Sequence, residues 1–267
     1  MKFIMLRHSD QIHVAGEDVA INDQELSERA ISVVADIVKR DPALIDCVSY
    51  GVRSRVSDML KQSGVDFPPH SRNKINTDLP RSITSAAGEI CSDLDLGGHL
   101  ERVGIIGFHI ASAMGLDTHV KNNVMLGGRL HDIGKLDPEM HRIVAFDGVP
   151  PPDQKPRIKL HPLIGARVAE YFRFPKNITD LVLNHHFRCD GTGYPIQNGA
   201  PMSIEIAALS VADAIDAMVR PRPGRTIKTL DQAFQAIQNG SGKHFHPDAV
   251  QALPRVAISA IYDRILT

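Results

Sequence analysis

The chain has 267 residues, 43% of them hydrophobic and 23% charged, with a formal net charge of −1, no tryptophan and 5% aromatics. A charge this close to zero argues against broad adhesion to nucleic acid or membrane, so neither DNA nor a membrane is an expected partner, and the few aromatics imply an aliphatic core. Three scattered cysteines without CxxC spacing (Cys47, Cys91, Cys189) read as reduced thiols, and neither a signal-peptide core nor an apolar run of roughly 20 residues is present, so a soluble cytoplasmic protein is expected.

In chain order, residues 2–6 (KFIML) form a short apolar run that predicts a strand. Asn22 and Asp23 open a helix in which Leu26, Ala30, Val33, Val34 and Ile37 recur every three or four residues. A second strand is predicted over 45–50 and a second helix over 52–62. The turn-rich stretch 67–80 predicts a linker, making residues 1–75 a small α/β unit. Beyond it, helices are predicted over 83–94, 100–114, 120–133, 160–172, 178–187, 204–218, 230–237 and 247–266. The expected fold class is therefore mainly α: an all-helical domain over 80–267 behind a small N-terminal α/β unit.

The N-terminal unit carries a resemblance of its own. LRHSD, LSERA and SYGVRSRVSDML are similar to the first half of a histidine-phosphatase domain. That resemblance implies His8 as phosphoryl acceptor, with Arg7 and Arg55 binding phosphate. RHS replaces the usual RHG, and the segment is too short for the rest of that fold. A degenerate unit used for regulation or dimerisation is expected.

The helical part concentrates metal-ligating side chains. His131-Asp132 closes one helical stretch, His161 opens another, His185-His186 closes a third, Asp213 lies within a fourth and His99 precedes a fifth. A carboxylate has two oxygens and can bridge two cations, while neutral imidazoles complete each coordination shell. Adjacent helical residues point about 100° apart, so a His-Asp or His-His pair can serve two ions held between helices. His109, His119, His141 and His244 read as ordinary histidines.

HDIGK (131–135), HPLIGARV (161–168), HHFRCDGTGYP (185–195), VADAIDAM (211–218) and GSGKHFHPDAV (240–250) together resemble the HD-GYP family over residues 95–260. The resemblance implies an all-helical, metal-dependent phosphodiesterase of bacterial second-messenger signalling. Such an enzyme hydrolyses cyclic di-GMP to pGpG or GMP by attack of a metal-bridging hydroxide. It implies two iron or manganese ions, with a third possible, held by His99, His131, Asp132, His161, His185, His186 and Asp213. Asp132 would bridge, and Lys135 would contact the substrate phosphate as a point charge. Asp190 and Tyr194 would shape the GYP loop beside the substrate or recruit a signalling partner, and Arg222 and Arg225 would bind phosphate or guanine. A homodimer is compatible with the pattern.

Three departures qualify this. Phe187 stands where the family has a glutamate. Asp95, four residues before His99, replaces the glutamate that holds a third metal, so two ions are preferred. Gly224 and Thr226 replace the tyrosine and lysine of the arginine-rich segment. The alternatives are a weakly active or inactive nucleotide-binding module, and an HD hydrolase of another phosphate ester such as 3′,3′-cGAMP.

Overall fold

A computed structural model describes residues 11–13, 20–65, 78–146, 151–152, 154–195, 201–220 and 226–253, with 258 and 261. The expected strand over 2–6, with Arg7 and His8, lies outside these residues, as do most of the expected linker over 67–80 and Arg222, Gly224 and Arg225. The described residues begin with a short antiparallel hairpin, β1 (Gln11–His13) against β2 (Ala20–Asn22), with Ile12 opposite Ile21.

Helix α1 (Asp23–Arg40) comes directly after the hairpin, because the Asn22 side chain accepts the Glu25 N–H and acidic Asp23 and Glu25 complement the helix dipole. The strand predicted over 45–50 is a correction. Pro42–Cys47 is a 3-10 helix, started by Pro42 with its preset φ and capped by the Asp41 side chain on the Ala43 N–H. Helix α2 (Tyr50–Gln62) completes the N-terminal segment, and Arg55 is exposed on it.

The remaining helices are α3 (Leu79–Ile90), α4 (Leu96–Ala113), α5 (Thr118–Leu130), α6 (Pro138–Val144), α7 (His161–Tyr171), α8 (Lys176–Asn184), α9 (Ile204–Val219), α10 (Leu230–Asn239) and α11 (Pro247–Ala252). Two 3-10 turns adjoin the histidine-bearing helix ends, Ile133–Leu136 after α5 and Lys155–Leu160 before α7. Seven of the eight predicted helices are recovered with shifted ends, and the last, 247–266, over Pro247–Ala252, most of its remainder lying outside the described residues. The sequence pattern missed α6, whose start is set by Asp137 capping the Glu139 and Met140 N–H groups and by Pro138 at its first position. Among the described residues no helix is long and apolar enough to cross a membrane.

Helix α4 is the centre of the assembly, packed against α3, α5 and α9. Its approach to α5 is close enough that a Cβ on Gly128 would lie 2.6 Å from the Gly104 Cα, so side chains are excluded there. Arg129 of α5 clamps the pair by donating to Glu101 of α4 at 2.6 and 2.8 Å. Helix α1 packs against α7, and one aliphatic core extends from Ile21 and Leu26 to Leu209 and Ala249. Polar ties join the same surfaces. Arg29 binds Asp137 and Glu139, Arg167 of α7 reaches Asp23 and Ser27, and the Ser49 N–H donates to the Tyr171 carbonyl.

Candidate dinuclear metal centre

Helix ends leave backbone carbonyls without intrahelical donors, and this protein uses imidazoles to satisfy them. His131 caps α5 and its Nδ1 lies 2.8 Å from the Gly128 carbonyl; His185 caps α8 with Nδ1 2.7 Å from the Val182 carbonyl. His161, first residue of α7, has Nδ1 2.6 Å from the Ile158 carbonyl in the preceding 3-10 turn. A carbonyl only accepts, so in each ring Nδ1 carries a proton and Nε2 is the nitrogen left to face a cation. All three histidines are at most 1% exposed. Their Nε2 atoms point inward, toward Asp132.

Asp132 lies between two groups of donors. One comprises Asp132, His161, His185 and His186; the other comprises Asp132, His99 and His131. In each group the ligand atoms all lie within 4.8 Å of one another. His161 Nε2 is 3.0 Å and His185 Nε2 3.5 Å from Asp132 Oδ1, while His99 Nε2 and His131 Nε2 are 3.5 and 3.4 Å from Asp132 Oδ2. Each oxygen of one carboxylate thus faces a different set of imidazoles. Asp213 of α9 joins the second group, with Oδ1 3.4 Å from His99 Nε2 and 3.7 Å from His131 Nε2.

The donor set fits divalent cations by a direct test. His131 Nε2 and Asp132 Oδ1 are fully buried and make no hydrogen bond, although a buried polar atom normally has a partner. His161 Nε2 and His185 Nε2 face each other at 3.1 Å, and two lone pairs at that distance require a proton or a cation between them. Electrostatics agree. Burial, with His131 and His161 nearby, pushes the His185 pKa down to about 4, and burial beside His185 and His161 holds His186 well below its ordinary value. Both rings are therefore neutral at pH 7 and able to offer a lone pair to a cation. Burial opposes ionisation of Asp132, but Lys135 and His131 outweigh it and hold the carboxyl far below the usual range. Burial likewise opposes a charged His131, yet Asp132 and Asp213 raise its pKa to about 10. Imidazole with carboxylate suits several transition metals.

The surroundings of the donors are also ordered. Lys135 ion-pairs with Asp132 from the 3-10 turn Ile133–Leu136. Tyr194, in the DGTGYP loop, packs its ring 4.6 Å from that of His186. Asp190 is exposed and accepts from Thr192, and its N–H donates to the Lys243 carbonyl, tying this loop to the 240–250 segment. Phe187 is buried among core side chains, 4% exposed. Cys189 lies in neither donor group. Asp95 pairs with Arg102 at 2.9 Å and likewise belongs to neither group. His141 is bound to Asp93, away from the centre.

Sequence reasoning missed two residues. Asp216 Oδ2 lies 2.7 Å from His99 Nδ1, and Arg102 donates to both Asp216 oxygens at 2.7 and 3.1 Å. Each stands three positions after a predicted ligand, Asp213 or His99, and so shares its helix face. That spacing was the available signal.

Residues 73–249 match the HD domain family. A cyclic di-GMP phosphodiesterase from Thermotoga maritima is 35% identical over 180 residues, covering 64% of this chain and 48% of that protein. The cyclic di-GMP phosphodiesterase response regulator RpfG of Xanthomonas campestris is 31% identical over 160 residues, covering 58% of this chain and 42% of its own length. The chain thus spans about half the length, or less, of these curated relatives. A solved HDG"Y"P protein from Bdellovibrio bacteriovorus superposes with a TM-score of 0.51 at 18% identity, covering 93% of this chain and 76% of that one, and shares the fold. On this match and its HDIGK and DGTGYP segments, the chain belongs to the HD domain family, in its HD-GYP branch.

Proposed function

We propose that this chain is a metal-dependent phosphodiesterase that hydrolyses cyclic di-GMP to pGpG or GMP. The observation that carries the reading is Asp132, whose two oxygens face two separate groups of buried imidazoles. His99, His131 and Asp213 would hold one cation, His161, His185 and His186 the other, with Asp132 common to both. Two iron or manganese ions, when bound, supply an activated water and positive charge beside the scissile phosphate. The protein's own part is positioning. Lys135 stands next to Asp132 as a fixed cation for a phosphoryl oxygen, and Tyr194 walls the site over His186. Arg222 and Arg225 come after α9 in sequence and are the candidate contacts to the guanine or to the second phosphate. Residues 1–75 serve as a regulatory or dimerisation unit, and the GYP loop is the candidate surface for a signalling partner.

The test is turnover of cyclic di-GMP by manganese- or iron-loaded protein, with Asp132→Ala alongside. The variant should lose turnover and one or both cations while keeping its helical circular dichroism. Full turnover by Asp132→Ala would refute the assignment. One observation favours a second reading. The position that carries a glutamate in the family is here a core phenylalanine, and loss of such a supporting carboxylate typically costs 10- to 100-fold in metal affinity or activity. Tight binding of cyclic di-GMP with no product after long incubation would select a binding module. Preferential cleavage of 3′,3′-cGAMP would select a different cyclic dinucleotide.

A further inference from the structure

Helices α4 and α9 are stitched together by two pairs spaced three residues apart, His99 with Arg102 and Asp213 with Asp216. Within this quartet Asp213 and His99 Nε2 face the donor groups, whereas Asp216 and Arg102 lie behind them. The Asp216 carboxylate is 0% exposed and Arg102 4% exposed. Asp216 Oδ2 takes the His99 Nδ1 proton at 2.7 Å, which fixes the tautomer with the Nε2 lone pair toward Asp132 and Asp213. His99 is the one ligand histidine with a described Nδ1 contact whose Nδ1 is held by a carboxylate. The other three, His131, His161 and His185, use backbone carbonyls.

Arg102 binds this carboxylate through two nitrogens and reaches Asp95 Oδ2 at 2.9 Å with its Nη2. A guanidinium between two carboxylates does what a metal ion would do there: it neutralises them and fixes their spacing. It also occupies the side chain of Asp95, four residues before His99. Asp95 itself has a left-handed backbone, φ 51°, immediately before α4, so it does not project as a residue of the helix would.

We infer that Arg102 is a built-in cation that takes the place of a third metal, holding Asp216 as the positioning residue for His99 and committing the centre to two ions. This rests on the dinuclear reading of the site. Removing Arg102 takes both guanidinium contacts away from the buried Asp216, and replacing Asp216 by asparagine turns an amide N–H or a neutral oxygen toward the guanidinium. In both cases the His99 side of the centre loosens while His161 and His185 on the other side keep their own carbonyl anchors.

Calorimetric titration of chelator-treated protein with Mn²⁺, with circular dichroism as a check on folding, separates the possibilities. The wild-type chain should take two cations. In Arg102→Gln and Asp216→Asn one binding step should weaken 10- to 100-fold, as expected for loss of an outer-shell partner, and the other should be unchanged. Arg102→Lys should recover part of the loss, because it restores charge without the two-pronged contact. Asp95→Ala, an exposed position that leaves folding intact, should still bind two cations. Wild-type affinity for both ions in Arg102→Gln and Asp216→Asn would overturn the inference, as would a third cation in the wild type that disappears in Asp95→Ala. Fewer than two cations in the wild type would instead refute the dinuclear reading itself.

Discussion

Replacing Gly134 with alanine probes whether the metal centre depends on backbone proximity. Gly134 lies in the 3-10 turn that carries Lys135, two residues after Asp132, and it abuts the start of α7. An added Cβ would sit 2.0 Å from the His161 carbonyl oxygen and 2.8 Å from the Gly165 nitrogen, and real Cβ atoms essentially never approach closer than 3.0 Å. The obstacles are backbone atoms, so no rotamer change relieves them, and the turn must move from α7 by about 1 Å. Overpacking of this kind costs roughly 1–3 kcal/mol, which for a domain of this size lowers Tm by roughly 2–12 °C. The displacement falls between Asp132 and His161, whose contact is 3.0 Å, and a misplacement of about 1 Å can lower turnover on the order of 100-fold. Thermal unfolding monitored by circular dichroism reads the first effect, and turnover of cyclic di-GMP, with Mn²⁺ titration of the folded protein, reads the second. A Gly134→Ala chain with unchanged Tm and unchanged cation affinity would refute the argument that this contact sets the site.

Other perturbations draw on the same geometry. In chelator-treated protein, His185 titrates at about 4 when folded and near 6.5 when unfolded, so the unfolded chain binds the extra proton between these values. The stability this group contributes is complete above pH 6.5 and falls by roughly 3 kcal/mol as pH drops toward 4; urea midpoints that stay level from pH 7 to 4.5 would contradict this. His131 has the opposite sign, its contribution being complete below pH 6.5 and lost as pH rises through about 10. Arg29→Met removes the ion pair to the buried Asp137, which keeps its two backbone N–H donors, so the loss should cost about 2 kcal/mol and lower Tm by roughly 4–8 °C, whereas an unchanged Tm would show that α1 contributes no bracing there. Lys135→Met should lower turnover of cyclic di-GMP by roughly 100- to 1,000-fold with two cations still bound, and loss of a cation would move Lys135 from substrate contact to site assembly.

Much of this was legible in the sequence because helix periodicity and ligand spacing are local properties. Adjacent His-Asp and His-His pairs pointed to a cluster shared between helices, and the structure brings His99, His131, Asp132, His161, His185 and His186 together, with Asp213 beside them. The misreadings have physical causes. Residues 45–50 are apolar enough for a strand, but Pro42 and the Asp41 cap commit the backbone to a 3-10 turn before that run begins. Helix α6 has only seven residues and Met140 and Ile143 as its buried side chains, too little for a periodic signal. Asp216 and Arg102 looked like ordinary charged helix residues, and their role depends on the crossing of α4 and α9, which no local pattern encodes.

The manner in which the histidines are held bears on how the centre assembles. Zinc fingers and similar small domains fold only as their cation binds, because nothing else orients the ligands. Here the His131, His161 and His185 rings are fixed by carbonyls at helix ends, and those ends are set by aliphatic packing and by Gly104 and Gly128 at the α4–α5 crossing. Ligand orientation is therefore a consequence of the hydrophobic core, and cations enter a site whose Nε2 atoms already converge, displacing the proton that His131 holds there. The unfavourable part is electrostatic: facing imidazole nitrogens and a buried carboxylate without a hydrogen bond on one oxygen store a penalty that a divalent cation relieves. Metal should for that reason raise Tm strongly while changing the helical circular dichroism little. An apoprotein that lacks helical structure until Mn²⁺ is added would show instead that the cations, and not the core, organise these helix ends.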